Sequence, residues 1–254
     1  GDGDAVRRLV AQGTPVDLAT VVAVAPREQA LRALVKAGAD LDVADAEGLT
    51  PLMALCAMGS VPAIQAVISA GATVDAATRN GDTALMLASR AGNASVAGML
   101  LQAGAHPDLM SSSKHTALML ASESGHAEVV QTLLQAGALV DALDPADRFS
   151  ALQYASLNGR TDVVELLLAA NAEVNLANRF GCTPLVHACF QGHTATATRL
   201  LGAGAKVNWA KKNGDTSLAL ACNAGHADTV KMLLEAGAEA TPMLPTPWWL
   251  AAPT

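Results

Sequence analysis

Histidine, cysteine and carboxylate side chains are the usual carriers of metal-binding, nucleophilic and acid–base chemistry, and in this chain their placement argues against all three. His126, His193 and His226, three of the six histidines, each directly follow a glycine at one phase of a recurring pattern, so they belong to the pattern rather than to a metal site. The four cysteines form no CxxC pair; Cys56, Cys189 and Cys222 share one position of the pattern and are expected to be buried stand-ins for a small apolar residue. Cys182 alone is expected to be exposed, as an incidental free thiol. Asp42 and Asp45 fall on predicted loops in open solvent, where nothing would tune their acidity. The chain has no GxxxxGK[ST], no HExxH, no GxSxG and no GxGxxG after a strand. No catalytic residue, metal-ligand set or cofactor site is therefore expected, and the chain reads as a non-enzyme.

The elements around these residues are unusual in composition. The 254-residue chain is 51% hydrophobic, yet only 3% aromatic and 15% charged. Small and branched aliphatics without large rings suit thin helices packed layer on layer, not one thick core. A net charge of −7 argues against nucleic acid, because a phosphate-binding surface needs clustered cations. The longest apolar run, Leu18 to Ala25, stops at Pro26, far short of the ~20 residues a membrane span needs. So few cysteines in so long a chain do not form a disulfide framework; with no secretory signal in sight, the expected compartment is the cytoplasm, or alternatively the nucleus. For the same reason the sequon at Asn93-Ala94-Ser95, at a helix start, is discounted as a glycosylation site.

Three marks recur in step. Gly-Ala pairs begin at Gly71, Gly104, Gly137, Gly204 and Gly237, with Asn171 in the remaining slot, so the steps are 33, 33, 34, 33 and 33 residues. A Gly-x-Thr-x-Leu mark appears at Gly48, Gly81, Gly181 and Gly214, twice with proline after the threonine. A further glycine lies nine residues after each Thr or Ser, at Gly59, Gly92, Gly125, Gly159, Gly192 and Gly225. Each mark has a mechanical reading. The Thr hydroxyl caps a first helix, and proline at the next position gives up an N–H that has no helical partner. The central glycine ends the first helix in a left-handed turn, and the terminal glycine ends the second. Between them lie runs such as Val163-Val164-Glu165-Leu166-Leu167-Leu168, apolar at helical spacing, which one unit cannot bury alone.

This pattern closely resembles the ankyrin repeat. The strongest stretch, Gly181 to Asn208, holds Thr183-Pro184-Leu185, Ala188, Gly192-His193, Leu200-Leu201, Gly204-Ala205 and Val207-Asn208. The resemblance covers nearly the whole chain and implies an all-α fold, an ankyrin-repeat α-solenoid of helix pairs with projecting β-hairpin loops. It also implies that the histidines after the central glycines tie neighbouring turns. Residues 1–254 read as a single array: 1–44 an irregular repeat and a half, 45–240 six full repeats (45–77, 78–110, 111–144, 145–177, 178–210 and 211–240), and 241–254 a half repeat or cap. Within the irregular start, 1–17 reads as a second helix with its exit, and 18–44 is eight residues too short and is expected to lack a hairpin. In the tail, Thr246-Pro247-Trp248-Trp249-Leu250 repeats the first-helix signature and would pack Trp248 on the preceding unit; the alternative is a free Pro-rich tail.

The resemblance places partner contacts on the hairpin tips and the exposed side of the first helix. In the units from 45 to 144 those positions are mostly polar (Arg79, Asn80, Asp82, Ser112, Ser113 and His115 among them, with Leu49 and Met58 the apolar ones) and hold no aromatic ring. The units from 145 to 210 instead offer Phe149, Leu157, Arg179, Phe180, Phe190 and Gln191, with Tyr154 on the first helix beside them and Trp209 just beyond. Exposed rings are the anchors that dominate protein binding, so these eight residues form the candidate partner-binding patch, with packing against neighbouring hairpins as the alternative. Lys114 and Arg148 replace the hairpin glycine here, and Pro145 sits in the one-residue insertion; either the tips are reshaped or the fold tolerates the change. Asn175 and Asn208 follow the pattern of asparagines hydroxylated in animal ankyrin proteins, or serve only as turn residues. The expected function is a protein-interaction module (adaptor, scaffold or inhibitor), itself a monomer, binding another protein or a peptide segment, with no nucleic acid and no membrane insertion. The alternative is a regulatory array acting in cis within a larger enzyme or channel.

Overall fold

The computed structural model describes residues 17–24 and 28–239. The expected half unit before residue 17 and the Trp248-Trp249 cap lie outside the described residues. Among the described residues fourteen helices follow in pairs: α1 Leu18–Val24 and α2 Glu28–Lys36, α3 Pro51–Met58 and α4 Val61–Ser69, α5 Ala84–Ala91 and α6 Ala94–Gln102, α7 Ala117–Ser124 and α8 Ala127–Gln135, α9 Ala151–Leu157 and α10 Thr161–Ala169, α11 Pro184–Phe190 and α12 Thr194–Gly202, α13 Ser217–Asn223 and α14 Ala227–Glu235. Odd-numbered helices pack on odd and even on even, so the first helices form one layer and the second helices another. Among the described residues the only β pairings are the isolated antiparallel bridges Ala77–Thr83 and Ala210–Thr216 in the loops. This is the all-α solenoid with hairpin loops that the sequence leads one to expect.

Among the described residues no helix exceeds nine residues, which is too short to be stable alone, so the pairs exist because of their packing. Thr50, Thr83, Thr116, Ser150, Thr183 and Thr216 accept the backbone N–H three residues on, at 3.3–3.5 Å, and so cap the first helices as expected. The layers meet on Leu52, Leu85, Leu118, Leu152 and Leu185 from the first helices and Val67, Leu100, Leu133, Leu167 and Leu200 from the second, all at most 1% exposed. Each such side chain contributes ~1.5–3 kcal/mol on burial. Alanines at 0% exposure (Ala88, Ala121, Ala155, Ala188 and Ala221) let adjacent first helices approach closely.

Side chains at two recurring positions tie unit to unit. Asp42, Asp75, Asp108, Asp141, Asn175 and Asn208 each accept the backbone N–H 31 or 32 residues on, for example Leu139 N–H to Asp108 at 2.9 Å and Lys206 N–H to Asn175 at 2.9 Å. Asp42 is thus half-buried and engaged by Thr73, not free in open solvent as expected, and Asp45 accepts from the Glu47 and Leu49 amides at 2.9 Å. Asn175 and Asn208 also donate through Nδ2, to the carbonyls of Gly204 and Gly237. The second tie confirms the structural role of three histidines. His126, His193 and His226 each turn Nε2 to the carbonyl of Arg90, Leu157 or Phe190 in the preceding unit, at 3.0–3.2 Å. A carbonyl only accepts, so Nε2 carries the proton. Arg160 fills the same slot and donates from Nε to the Glu123 carbonyl at 3.1 Å. The ring lies over the preceding central glycine so closely that a Cβ on Gly192 would stand 2.6 Å from His226 Nδ1.

One open alternative is resolved and one further expectation is corrected. Lys114 and Arg148 take φ of 66° and 60°, left-handed like the hairpin glycines at 71–88° though slightly below them, so the fold tolerates the change and the strain is absorbed; Asn171 is left-handed too, at 62°. Cys222 is exposed, whereas Cys56 and Cys189 are buried and their thiols are pushed up to about 12 by desolvation. The difference is positional: α5 roofs Cys56 and α13 roofs Cys189, whereas Cys222 lines an open apolar hollow with Val230 and Leu234.

Candidate partner-binding surface

Five of the hairpins are built by the side chain that opens them; the sixth opens on Lys211, which donates from Nζ to Asp215, while Asn213 accepts the Asp215 amide. Asp45, Asp144 and Asn178 accept two or three amides of their own loop, Thr78 and Ser111 accept one, and each loop closes with a backbone bond such as Asn178 N–H to the Cys182 carbonyl at 3.0 Å. The chain reverses at the left-handed residue. The residue before it is exposed in five hairpins and half-buried in the sixth, where Asp147 pairs with Arg179, and the residue after it turns toward the first helix. Glu47, Asn80, Ser113, Phe180 and Asn213, all before it, are exposed; Leu49, Asp82, His115, Phe149, Cys182 and Asp215, all after it, are half-buried.

That alternation separates the candidate rings into two groups. Phe180 is 48% exposed on its hairpin tip and Phe190, in the last turn of α11, is 50% exposed. The Arg179 guanidinium lies 4.9 Å from the Phe180 ring centre, pairs with Asp147 at 3.1 Å and donates to the Ala146 carbonyl at 2.9 Å. Gln191 is exposed beside Phe190, and Leu157 is half-buried at the end of α9. Phe149, by contrast, is a packing residue. Its ring lies 5.1 Å from Tyr154 and 4.9 Å from His187, and Tyr154 in turn meets His115 edge-on at 5.3 Å and by a 2.8 Å hydrogen bond through its hydroxyl. Four rings therefore run beneath three successive hairpins, where Ala54, Leu87 and Leu220 occupy the equivalent first-helix position in other units. Trp209 is half-buried as well. Its indole N–H donates to the Gly181 carbonyl at 2.9 Å, and Lys206 approaches its ring at 5.6 Å. The expectation that Phe149, Tyr154 and Trp209 stand free as anchors gives way to a supporting layer. Phe180 and Phe190 are the rings that face solvent.

Burial sets the ionisation of this layer. The Asn178 carbonyl oxygen accepts the Phe180 and Cys182 amides, so its Nδ2 is the atom facing His187 Nε2 at 3.2 Å. His187 must accept that bond and is neutral there. Desolvation, with Lys211 nearby, lowers its pKa to about 4. Burial, with the charges of Asp144, Glu123 and Asp147 around it, pushes the Tyr154 phenol upward. Cys182 is half-buried rather than exposed, and desolvation raises its pKa too, which makes the thiol less reactive.

Sequence reasoning passed over Gln153. It is fully buried at the helix position held by Met53, Met86 and Met119 in the preceding units. Its Oε1 accepts the Ser150 amide at 3.0 Å, and its Nε2 donates to the carbonyls of Leu176 and Cys182, both at 2.9 Å. The Ser150-x-x-Gln153 capping box was the available signal. His187, Asn178 and Arg160 were passed over as well, because each makes its contact within a pattern that reads as core or turn. Among the described residues no group of three or more His, Cys, Asp or Glu side chains is placed to hold a metal, and no helix is long and apolar enough to cross a membrane.

The profile of the family described as ankyrin repeats (3 copies) matches residues 20–111, 105–178 and 152–243. The chain belongs to the ankyrin-repeat family. Among solved structures, the crystal structure of the human ASB11 ankyrin repeat domain is similar to it at 29% identity with a TM-score of 0.70, over 75% of this chain and 85% of that one. No curated protein matches the chain. Ankyrin repeats are in general protein–protein interaction modules, typically without enzymatic activity, and the helices, capped loops and unit-to-unit ties above are that scaffold.

Proposed function

We propose that the chain docks a partner protein segment on the hairpin and first-helix surface of residues 145–210, acting as an adaptor, scaffold or inhibitor rather than as an enzyme. The observation that carries this reading is the pair of half-exposed rings Phe180 and Phe190, set on a fold whose described aromatic side chains are otherwise packed between units. A buried aromatic anchor contributes ~2 kcal/mol or more to a complex. The Arg179–Asp147 pair at the rim adds ~0.2–1 kcal/mol. Leu157 and Gln191 flank the rings, while Phe149, Tyr154 and Trp209 support the surface from beneath. In this reading the chain is a monomer, its partner is protein rather than nucleic acid, and its unpaired cysteines suit a reducing compartment, cytoplasm or nucleus.

The test is affinity capture from cell extract with the wild-type chain, a Phe180→Ala/Phe190→Ala variant and an Arg79→Ala/Ser113→Ala variant, with bound proteins quantified. Specific partners retained by the wild type and by the Arg79/Ser113 variant, but lost from the Phe180/Phe190 variant, support the proposal. Retention by the phenylalanine variant with loss from the other moves the site to the earlier units and overturns it.

A further inference from the structure

We infer that Gln153 and Trp209 are positioning residues that lock the hairpin bearing Phe180 from both of its neighbours; their bearing on binding rests on the docking surface proposed above. The hairpin 176–182 is held from one side by Gln153, which donates to Leu176 and Cys182 at its two ends, and from the other by the Trp209 indole, which donates to Gly181 at its turn. Arg179 adds a backbone bond to Asp147, its N–H reaching that carbonyl at 2.9 Å. Gly181 itself is buried, with φ of 80°, and a Cβ there would stand 2.9 Å from the Lys212 nitrogen.

The earlier hairpins are joined differently. Arg79 N–H to the Glu47 carbonyl at 2.9 Å and Ser112 N–H to the Asn80 carbonyl at 2.7 Å are backbone bonds, but the positions of Gln153 and Trp209 there are Met53 and Met86, and Ala76 and Leu109, none of which can donate. Gln153 uses both amide protons and its oxygen in a site from which water is excluded, so its geometry is over-determined and the loop it holds has little freedom. A ring already fixed in its presented position loses less conformational freedom on binding than one on a loose tip. The lock therefore acts through Phe180, not by contact with the partner.

Amide hydrogen exchange on the full chain tests the lock without any partner. Gln153→Met installs the residue the earlier units use, so the helix pair should fold; Trp209→Phe keeps a ring and removes only the indole donor. In both variants the amides of 177–182 should exchange about tenfold faster or more, while those of hairpin 78–82 and of α5 to α8 keep their wild-type rates. A uniform change across the array would mean ordinary destabilisation and would overturn the lock, as would unchanged exchange at 177–182 in both variants. Capture then tests the consequence. Gln153→Met should retain several-fold less of the Phe180-dependent partner, and no further loss should appear when it is combined with Phe180→Ala. Additive losses would place Gln153 outside the action of Phe180 and overturn the positioning role. If the hairpin loosens in both variants but Phe180→Ala leaves capture intact, the docking surface fails while the lock stands.

Discussion

The hairpins at 45–50, 78–83 and 111–116 and those at 144–150, 178–183 and 211–216 share a left-handed reversal closed by a backbone bond, with one extra residue at 144–150, and differ in how they are supported. In the first set the described links between adjacent tips are backbone bonds, the tips are polar and the first-helix position beneath holds Ala54, Leu87 or Leu120. In the second set that position holds Tyr154 and His187, with Leu220 in the last unit; Phe149 lies between the two rings, and Gln153 and Trp209 reach across unit boundaries. The difference shows that a repeat fold can keep its geometry constant while one stretch is given a rigid ring layer below and solvent-facing rings above.

The largest effect should come from separating the two kinds of ring. Phe149→Ala empties the space between Tyr154 and His187 and should destabilise the array by roughly 3 kcal/mol, whereas Phe180→Ala, on a half-exposed tip, should stay within about 0.5 kcal/mol. Equilibrium denaturation of the two variants measures both. Equal losses would erase the distinction between support and surface.

His187 offers a second way to probe the ring layer, through pH. Its pKa falls from 6.5 to about 4 on folding, so between those values the unfolded chain binds the extra proton and the folded chain does not. Stability is therefore intact above pH 6.5 and declines as pH falls toward 4, by at most about 3 kcal/mol for this group. His187→Leu, which installs the residue type of positions 87, 120 and 220, should flatten the dependence of the melting temperature on pH in that window. A variant with the wild-type slope would show that His187 does not remain neutral beneath the hairpin.

Much of the fold was legible because its marks are local. A threonine cap, a proline after it and a glycine in the left-handed region each act within a few residues, and they recur in step. What was not legible is set by non-local geometry. The carbonyls that hold Gln153 lie 23 and 29 residues away, and a carbonyl has no signature in sequence, so a buried glutamine at a methionine position passes for a surface residue. Phe149 and Phe180 look equivalent in sequence because each adjoins a left-handed residue. They part because one follows Arg148 and turns inward, while the other precedes Gly181 and projects outward. Cys222 escaped for the opposite reason: it shares its repeat position with the buried Cys56 and Cys189, and the repeat pattern alone does not show that it is exposed.

Binding should sharpen the comparison at a smaller energy. Phe180→Ala should weaken the captured partner at least about tenfold, or ~1.4 kcal/mol, with helical content unchanged, while Arg79→Ala and Ser113→Ala should each change it less than about twofold. Titration of the purified partner onto each variant, with circular dichroism as the control, decides it. Silence at Phe180 together with loss at Arg79 would transfer the function to the plainer set of hairpins.

The smallest effect concerns Lys114 and Arg148, which stand in left-handed backbone at φ of 66° and 60° where the neighbouring units use glycine. Two terms oppose each other in Lys114→Gly and Arg148→Gly. Glycine relieves a left-handed strain of roughly 1–2 kcal/mol. It also adds conformational freedom to the unfolded chain, worth about 0.4–1 kcal/mol in the other direction. The net gain should therefore be about 1 kcal/mol or less for each, with the hairpin shape unchanged, because the backbone already occupies the conformation glycine prefers. Denaturant midpoints of the two variants, measured beside Gly81→Ala, provide the check. Gly81→Ala should be clearly destabilising, since a Cβ there would stand 2.9 Å from the Ser112 nitrogen. A large loss on either variant would mean that the side chain makes contacts the tip depends on, and a loss on Arg148→Gly but not on Lys114→Gly would mean that the ring-bearing set differs from the plain one at its turns as well as beneath them.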